Sequence, residues 1–203
     1  TPADVDGGSS DACGIASTTI DVSTFDCSNV GANNVVLTVT DNNGNVSTCT
    51  AVVTVEDNVA PTAVCQNITV QLDANGNASI TPADVDGGSS DACGIASTTI
   101  DVSTFDCSNV GTNNVILTVT DNNGNVSTCT AVVTVEDNVA PTAVCQNITV
   151  QLDSNGNVSI TPADVDGGSS DACGIASTTI DVSTFDCSNV GANNVVLTVT
   201  DNN

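Results

Sequence analysis

The sequence predicts an all-β protein built of tandem β-sandwich domains, and three observations carry that prediction. The chain repeats itself with a period of 80 residues. Its apolar residues alternate with period two in runs rich in Val, Ile and Thr, and runs of helix formers are absent. Four cysteines recur in each full period, which suits a small domain whose apolar core is limited and needs covalent staples.

Residues 1–43 are identical to 161–203, and 81–160 differ from 1–80 only at Ala32/Thr112, Val36/Ile116, Ala74/Ser154 and Ala78/Val158. A period this long reads as a self-contained domain, since the units of a solenoid are shorter. The acidic joint Glu56-Asp57-Asn58 followed by Pro61 recurs at 136–141. Boundaries set there give an incomplete repeat 1–60, a complete repeat 61–140 and an incomplete repeat 141–203.

Within the complete repeat the first strand is expected near 64–72, with Ile68, Val70 and Leu72 on one face and Thr69 and Gln71 on the other. The turn Asp73-Ala74-Asn75-Gly76-Asn77 leads to a second strand at 78–81. Residues 82–94 read as a long acidic loop. Strands resume at 95–101 and 103–107, and a hairpin joins 113–120 to 125–136 through Asp121-Asn122-Asn123-Gly124-Asn125. Short strands punctuated by turns at this spacing argue for a two-sheet sandwich of the immunoglobulin kind. Phe105, with Phe25 and Phe185 in the other copies, is the one large aromatic side chain per repeat and reads as a core plug.

Cys65, Cys93, Cys107 and Cys129 allow three pairings. Cys65–Cys129 and Cys93–Cys107 are favoured, because the first and last strands of a sandwich commonly lie side by side, and because Cys93 and Cys107 would close a short loop. The period extends the scheme to Cys13 with Cys27 and Cys173 with Cys187, leaving Cys49 and Cys145 over. A rival scheme, Cys49–Cys65 and Cys129–Cys145 across the joints, uses all ten cysteines but asks the chain to return after a run of strand.

Composition narrows function sharply. There are 24 acidic side chains and no Lys, Arg or His, a formal charge of −24. Without cations the chain cannot neutralise phosphates or bind anionic lipid by polybasic attraction, so nucleic acid is excluded as a partner. The absence of His, Lys and Tyr removes the usual proton shuttles and the bases that activate nucleophiles, and an enzyme is not expected. A glycosidase-like carboxylate pair, repeated in tandem without a positioning Arg or His, is a poor catalytic design. Disulfides imply an oxidising compartment, hence an extracellular, secreted or cell-surface protein. The segment has no membrane-inserting run and begins and ends in mid-repeat, so sorting signals could lie beyond it.

Two carboxylates about 5 Å apart repel by roughly 3 kcal/mol at an effective dielectric near 20, so clustered acids invite a cation. In the expected sandwich the joint, the long loop and the hairpin turn share one end of the domain. That gathers Glu56, Asp57, Asn58, Asp84, Asp86, Asp91, Asp121 and Asn123, and in the next copy Glu136, Asp137, Asn138, Asp164, Asp166, Asp171, Asp201 and Asn203. Oxygen donors without nitrogen or sulfur suit structural Ca²⁺ better than octahedral Mg²⁺. Asp, Asn and Gly at 73–77 and 121–125 are also what tight turns require, and the Asp-x-Asp-Gly-Gly run is not an EF-hand loop.

The strings Ala-Pro-Thr-Ala-Val-Cys at 60–65, Asp-Gly-Gly-Ser-Ser-Asp-Ala-Cys-Gly at 86–94, Thr-Phe-Asp-Cys at 104–107 and Leu-Thr-Val-Thr-Asp-Asn-Asn-Gly-Asn at 117–125, with Cys129, resemble the hyalin-repeat-like (HYR-like) modules of bacterial surface proteins. The resemblance spans the chain and implies immunoglobulin-like modules in long secreted or surface proteins associated with cell adhesion. The joint Glu-Asp-Asn-x-x-Pro is also similar to the calcium-binding joint of cadherins.

Two functions are weighed. The first is a structural stalk or fibre of Ca²⁺-stabilised repeats, each partnered by its neighbours in the chain, with homopolymeric or lateral filament assembly following from identical surfaces. The second is a repetitive adhesin gripping glycan, mineral or ice through the Thr-rich stretches 98–104 and 118–120, with avidity from repetition. The lack of Trp and Tyr argues against sugar stacking. Sequons at Asn67, Asn77 and Asn125 read as chance matches in an Asn- and Thr-rich chain.

Overall fold

Period-two patterning translates into strand almost throughout. The computed structural model describes residues 1–203. In chain order they form a helical turn α1 (Pro2–Val5), β1 (Ile15–Ile20), β2 (Gly31–Asp41), β3 (Val46–Val55), β4 (Ile68–Gln71), β5 (Asn77–Ser79), a helical turn α2 (Pro82–Val85), β6 (Ile95–Ile100), β7 (Thr104–Asp106), β8 (Gly111–Asp121) and β9 (Val126–Glu136). There follow β10 (Asn157–Ser159), a helical turn α3 (Pro162–Val165), β11 (Ile175–Ile180), β12 (Thr184–Asp186) and β13 (Leu197–Asp201). The fold is all-β, with three helical turns and three short 3₁₀ turns.

The chain divides into two compact units. The first comprises Thr1–Ala63, Ser89–Thr98 and Thr118–Ser127, and the second Val64–Gly88, Thr99–Leu117 and Thr128–Asn203. In the first unit β1, β2 and β3 form a three-stranded antiparallel sheet with β3 at its edge. Val35 and Leu37 are buried there, at 1% exposure each.

β4 heads a four-stranded sheet of order β4-β9-β8-β6. β4 runs parallel to β9 in the register Ile68–Val133, Thr69–Thr134, Val70–Val135 and Gln71–Glu136. The alternation reads directly as burial: Val115, Leu117, Val119 and Asp121 on β8 and Ala131, Val133 and Val135 on β9 are all buried. In the second unit Phe105 is 3% exposed on β7, opposite Ala78 of β5, so the expected core plug is in place. Ile160, Val165 and Leu197 form a further buried cluster with Ile180, Phe185, Val195 and Val199 around it.

Residues 82–94, read from sequence as a loop, begin instead with the helical turn α2. Thr81 and Asp84 form a capping box, and Pro82 occupies the first helical position. Proline supplies a helical φ there and lacks only an N–H that would have no partner. The signal was present in Thr-Pro-Ala-Asp, because Thr followed three positions later by Asp is the capping pattern.

Identical sequence does not give identical structure at the two ends. Ile148-Thr149-Val150-Gln151 repeats β4 residue for residue, yet these residues form no strand, and Ile148 and Val150 are 39% and 42% exposed. β3 repeats β9, yet Ala51, Val53 and Val55 are only half-buried where Ala131, Val133 and Val135 are closed off. Strand and burial here depend on a cross-strand neighbour more than on propensity.

Candidate functional site

The acidic joints and the cysteines beside them are the chemically distinctive part of the chain. In the first unit the joint is drawn alongside the acidic loop by a two-residue antiparallel bridge: Thr62 N–H donates to Ser90 O at 2.8 Å and Ser90 N–H to Thr62 O at 3.0 Å. Pro61, one residue earlier, is buried without needing a partner for a main-chain N–H. This bridge sets Asp57 and Asp91 close together, with carboxylate oxygens within 4.8 Å of each other and of Cys93 Sγ.

Each carboxylate is partly engaged. Asp57 Oδ1 accepts from Val59 N–H at 3.0 Å, and Asp91 Oδ1 from Cys93 N–H at 2.7 Å. Asp57 Oδ2 is buried and has no hydrogen-bond partner. A buried carboxylate oxygen without a donor is costly, and a cation is one way to satisfy it. The spacing fits a single hard ion, because oxygens at Ca²⁺ distances of about 2.3–2.6 Å lie up to about 5 Å apart across it. Cys93 is not a thiolate ligand, since its sulfur is bonded to Cys27. The donor set is therefore oxygen only.

The next joint repeats the arrangement inside the second unit, through the Thr142–Ser170 bridge, with Asp137, Asp171 and Cys173 within 4.8 Å. Cys173 is likewise bonded, to Cys107. Here Asp137 Oδ2 accepts a hydrogen bond from Asn203 Nδ2 at 3.2 Å, so the oxygen that is orphaned at Asp57 has a partner at Asp137.

The other residues expected in the cluster are used locally. Asp84 Oδ2 accepts from Thr81 N–H and Oγ1–H at 2.6 and 2.7 Å, and Asp164 repeats this with Thr161 at 2.7 and 2.8 Å. Asp86 accepts from Gly88 N–H, while Asp166 accepts from Gly168 and from both N–H and hydroxyl of Ser169. Asp201 accepts from Asn203 N–H at 3.1 Å. Glu56 accepts from Asn58, whereas Gln71 bridges Glu136 and Asn138 at 2.6 Å each.

Asp121 lies where the β8 alternation calls for an apolar residue and is 1% exposed. Its Oδ1 accepts from the N–H groups of Asn123 and Asn125 at 2.8 Å each, and its Oδ2 from Asn125 Nδ2 at 2.8 Å. Burial pushes this carboxyl up, but those donors outweigh it and hold it below the ordinary carboxylate range. Asn123 is exposed and contributes its main chain to that turn. Of each expected set, then, the structure places two carboxylates together, Asp57 with Asp91 and Asp137 with Asp171. Sequence reasoning missed the reason: most Asp side chains here fold back on main-chain N–H groups two to four residues away, which relieves charge without any cation.

The cysteines correct the expected scheme. Cys65–Cys129 is present, with Cα atoms 5.8 Å apart, beside the parallel β4–β9 pair. Cys93–Cys107, Cys13–Cys27 and Cys173–Cys187 are not formed; Cys27 pairs with Cys93 and Cys107 with Cys173, each 66 residues on. The rival Cys49–Cys65 and Cys129–Cys145 bonds are also absent, and Cys13, Cys49, Cys145 and Cys187 are exposed thiols. The reason is the bridge at Thr62–Ser90, which holds the loop bearing Cys93 to the preceding joint, where Cys27 is within disulfide reach at 5.1 Å between Cα atoms. At the second staple Gly76 packs against it, since a Cβ there would lie 2.6 Å from Cys107 Sγ and 3.3 Å from Ala172 Cβ.

No helix is long and apolar enough to cross a membrane. No protein-family model matches the chain, and no curated protein sequence matches it.

Proposed function

We propose that this chain is structural: a string of immunoglobulin-like sandwich repeats forming an extracellular stalk or fibre, with its joints closed by disulfides and by Ca²⁺. The observation that carries this reading is the pair of staples Cys27–Cys93 and Cys107–Cys173, each of which joins one copy of the 80-residue repeat to the next. A bond within a repeat stabilises that repeat, whereas a bond between repeats fixes the succession of repeats. Such bonds persist in oxidising compartments, which supports an extracellular location.

The proposed cation sits between Asp57 and Asp91, with Asp57 Oδ2 as its buried ligand, and in the next joint between Asp137 and Asp171. Water and main-chain oxygens complete the shell of six to eight that Ca²⁺ takes. The reading assigns no catalytic role to any residue.

The test is thermal unfolding with Ca²⁺ and with chelator, on the native chain and on Asp57→Asn/Asp91→Asn. A bound ion at 100 times its dissociation constant stabilises by about 2.7 kcal/mol, a shift of several degrees. The native chain should gain from Ca²⁺, and the variant should lose most of the gain at that joint. No Ca²⁺-dependent shift in the native chain would remove the metal from the proposal and leave the disulfide array.

A further inference from the structure

The pair Asn-Gly occupies two kinds of turn. Asn43-Gly44 and Asn123-Gly124 lie in the hairpin turns that join β2 to β3 and β8 to β9, whereas Asn75-Gly76 lies between β4 and β5. Asparagine before glycine is open to attack on its side-chain amide by the next main-chain nitrogen, because glycine puts no Cβ in the way. The turns expose that nitrogen unequally.

We propose that Asn123 and its counterpart Asn43 are modification sites, where the folded protein deamidates through a succinimide, and that Asn75 is shielded from the same reaction. Asn43, Asn75 and Asn123 are all exposed, so the difference lies in the glycine that follows. Gly124 is exposed, and its N–H donates to Asp121 O at 3.3 Å; Gly44 repeats this with Asp41 O at 3.2 Å. Both distances are at the long end for an N–H···O bond. Gly76 is buried, and its N–H donates to Asp73 O at 2.8 Å.

Packing separates the turns further. A Cβ built on Gly44 or Gly124 would meet nothing within 4 Å, so these glycines have room to turn. One built on Gly76 would lie 2.6 Å from Cys107 Sγ, 3.3 Å from Ala172 Cβ and 3.5 Å from Cys173 Sγ. Swinging the Gly76 nitrogen toward the Asn75 amide therefore breaks a short hydrogen bond and drives the chain against the Cys107–Cys173 disulfide. In the hairpins the same motion releases one long bond at the surface, a local opening of low cost.

The reaction balances with water alone. The Gly124 nitrogen gives up its proton to solvent and attacks Asn123 Cγ; the bond from Cγ to Nδ2 breaks and ammonia leaves. The five-membered succinimide then takes up one water. Opening at Cγ gives aspartate on an unchanged main chain, and opening at the main-chain carbonyl gives isoaspartate, whose chain runs on through Cβ and Cγ. No step involves the proposed cation.

The product acts on the turn that made it. Asp121 Oδ1 accepts from the N–H groups of Asn123 and Asn125 at 2.8 Å each, and Asn125 Nδ2 donates to Asp57 O at 2.9 Å. Isoaspartate inserts one main-chain atom between those two N–H groups. The buried Asp121 carboxylate then loses a donor, and the hold of Asn125 on the joint loosens.

The experiment ages the oxidised 203-residue chain in warm, mildly alkaline buffer, and in parallel in enough urea to unfold it. Samples are reduced, alkylated, cut on the amino side of aspartate and read by mass spectrometry, with isoaspartate counted by enzymatic carboxyl methylation. Fragments 41–56 and 121–136 share one sequence and are read together, while 73–83 is told from 153–163 by Ala74 against Ser154. In the folded chain the hairpin fragments should deamidate roughly tenfold faster than 73–83, the factor that one extra hydrogen bond and its packing impose on opening. In urea the two rates should converge. Asn43→Ser/Asn123→Ser should remove the fast reaction with circular dichroism unchanged, and Cys107→Ala/Cys173→Ala should raise the rate at 73–83. No deamidation of the hairpins in the folded chain, equal or reversed rates there, or a ratio that persists in urea would each overturn the inference.

Discussion

The side-chain amide of Asn125 donates to the backbone carbonyl of Asp57 at 2.9 Å, joining a hairpin turn to the acidic joint 68 residues earlier. The same nitrogen donates to Asp121 Oδ2 at 2.8 Å and reaches Val59 O at 3.4 Å. Asn125→Ala strips the buried Asp121 carboxylate and the joint of donors together, so it should cost about 1–3 kcal/mol in urea unfolding. Asn125 also heads a sequon, but the nitrogen a glycan would occupy is already committed. Expressed in a glycosylating secretory host, the chain should leave Asn125 unmodified by peptide mass.

Acid should unfold this protein through its turns. The main-chain N–H and hydroxyl of Thr81 hold the Asp84 carboxyl below its ordinary 3.8, the Ser108 hydroxyl and N–H do so for Asp106, and Asn77 and Asn75 N–H groups for Asp73. A carboxyl whose folded-state value is depressed contributes stability above its unfolded value and loses it as pH falls through the folded one. The melting temperature should therefore be level from pH 7 to about 5 and drop below about pH 4. Asp84→Asn should flatten part of that drop.

Gly76 and Gly156 occupy equivalent turns with φ of +74° and +77°, where an L side chain is strained. A Cβ would stand 2.6 Å from Cys107 Sγ at the first and 2.7 Å from Cys187 Sγ at the second. The Cys107 sulfur is fixed in a disulfide, whereas Cys187 is an unbonded thiol that donates to Gly156 O at 3.8 Å. Both Ala variants should lose about 1–3 kcal/mol to backbone strain. Gly76→Ala should lose more than Gly156→Ala, and should slow oxidation of the Cys107–Cys173 pair.

Removing a staple should be expensive. Cys65–Cys129 closes a separation of 64 residues and Cys107–Cys173 one of 66. Chain entropy alone gives about 4 kcal/mol for loops of that size. Cys65→Ala/Cys129→Ala and Cys107→Ala/Cys173→Ala should each lower stability by a few kcal/mol in denaturant titrations under oxidising conditions. Full reduction should cost more than either.

Much of the fold was legible because strands announce themselves locally. The alternation at 113–120 and 125–136 places β8 and β9 to within two residues, and Asn-Gly in both turns fixes the bends. The Cys65–Cys129 bond followed from the adjacency of first and last strands. Cys93 was misread for a reason inherent in repetition: Cys27 and Cys107 are the same residue in the same context, and local sequence does not say which of them the loop approaches. That choice rests on the Thr62–Ser90 bridge, a contact between segments 28 residues apart. The acidic set divides for a similar reason. Asp84 and Asp121 carry the same charge as Asp57, but a capping box and a hairpin turn consume them, and only the positions of nearby N–H groups distinguish the cases.

The disulfides also determine how the oxidised chain responds to being pulled from its ends. Tension enters along residues 1–27, crosses to Cys93, follows 93–107, crosses to Cys173 and leaves along 174–203. Only roughly a third of the backbone lies on that shortest covalent route, and at about 3.3–3.6 Å per residue it sets the length to which the chain can be drawn out. The segments 28–92 and 108–172, which contain β4, β8, β9 and most of the buried side chains, are enclosed in covalent loops that carry no sustained tension once the route is taut. Stretching such a chain exhausts its slack early, and further force falls on bonds between sulfurs before the shielded strands can be drawn out.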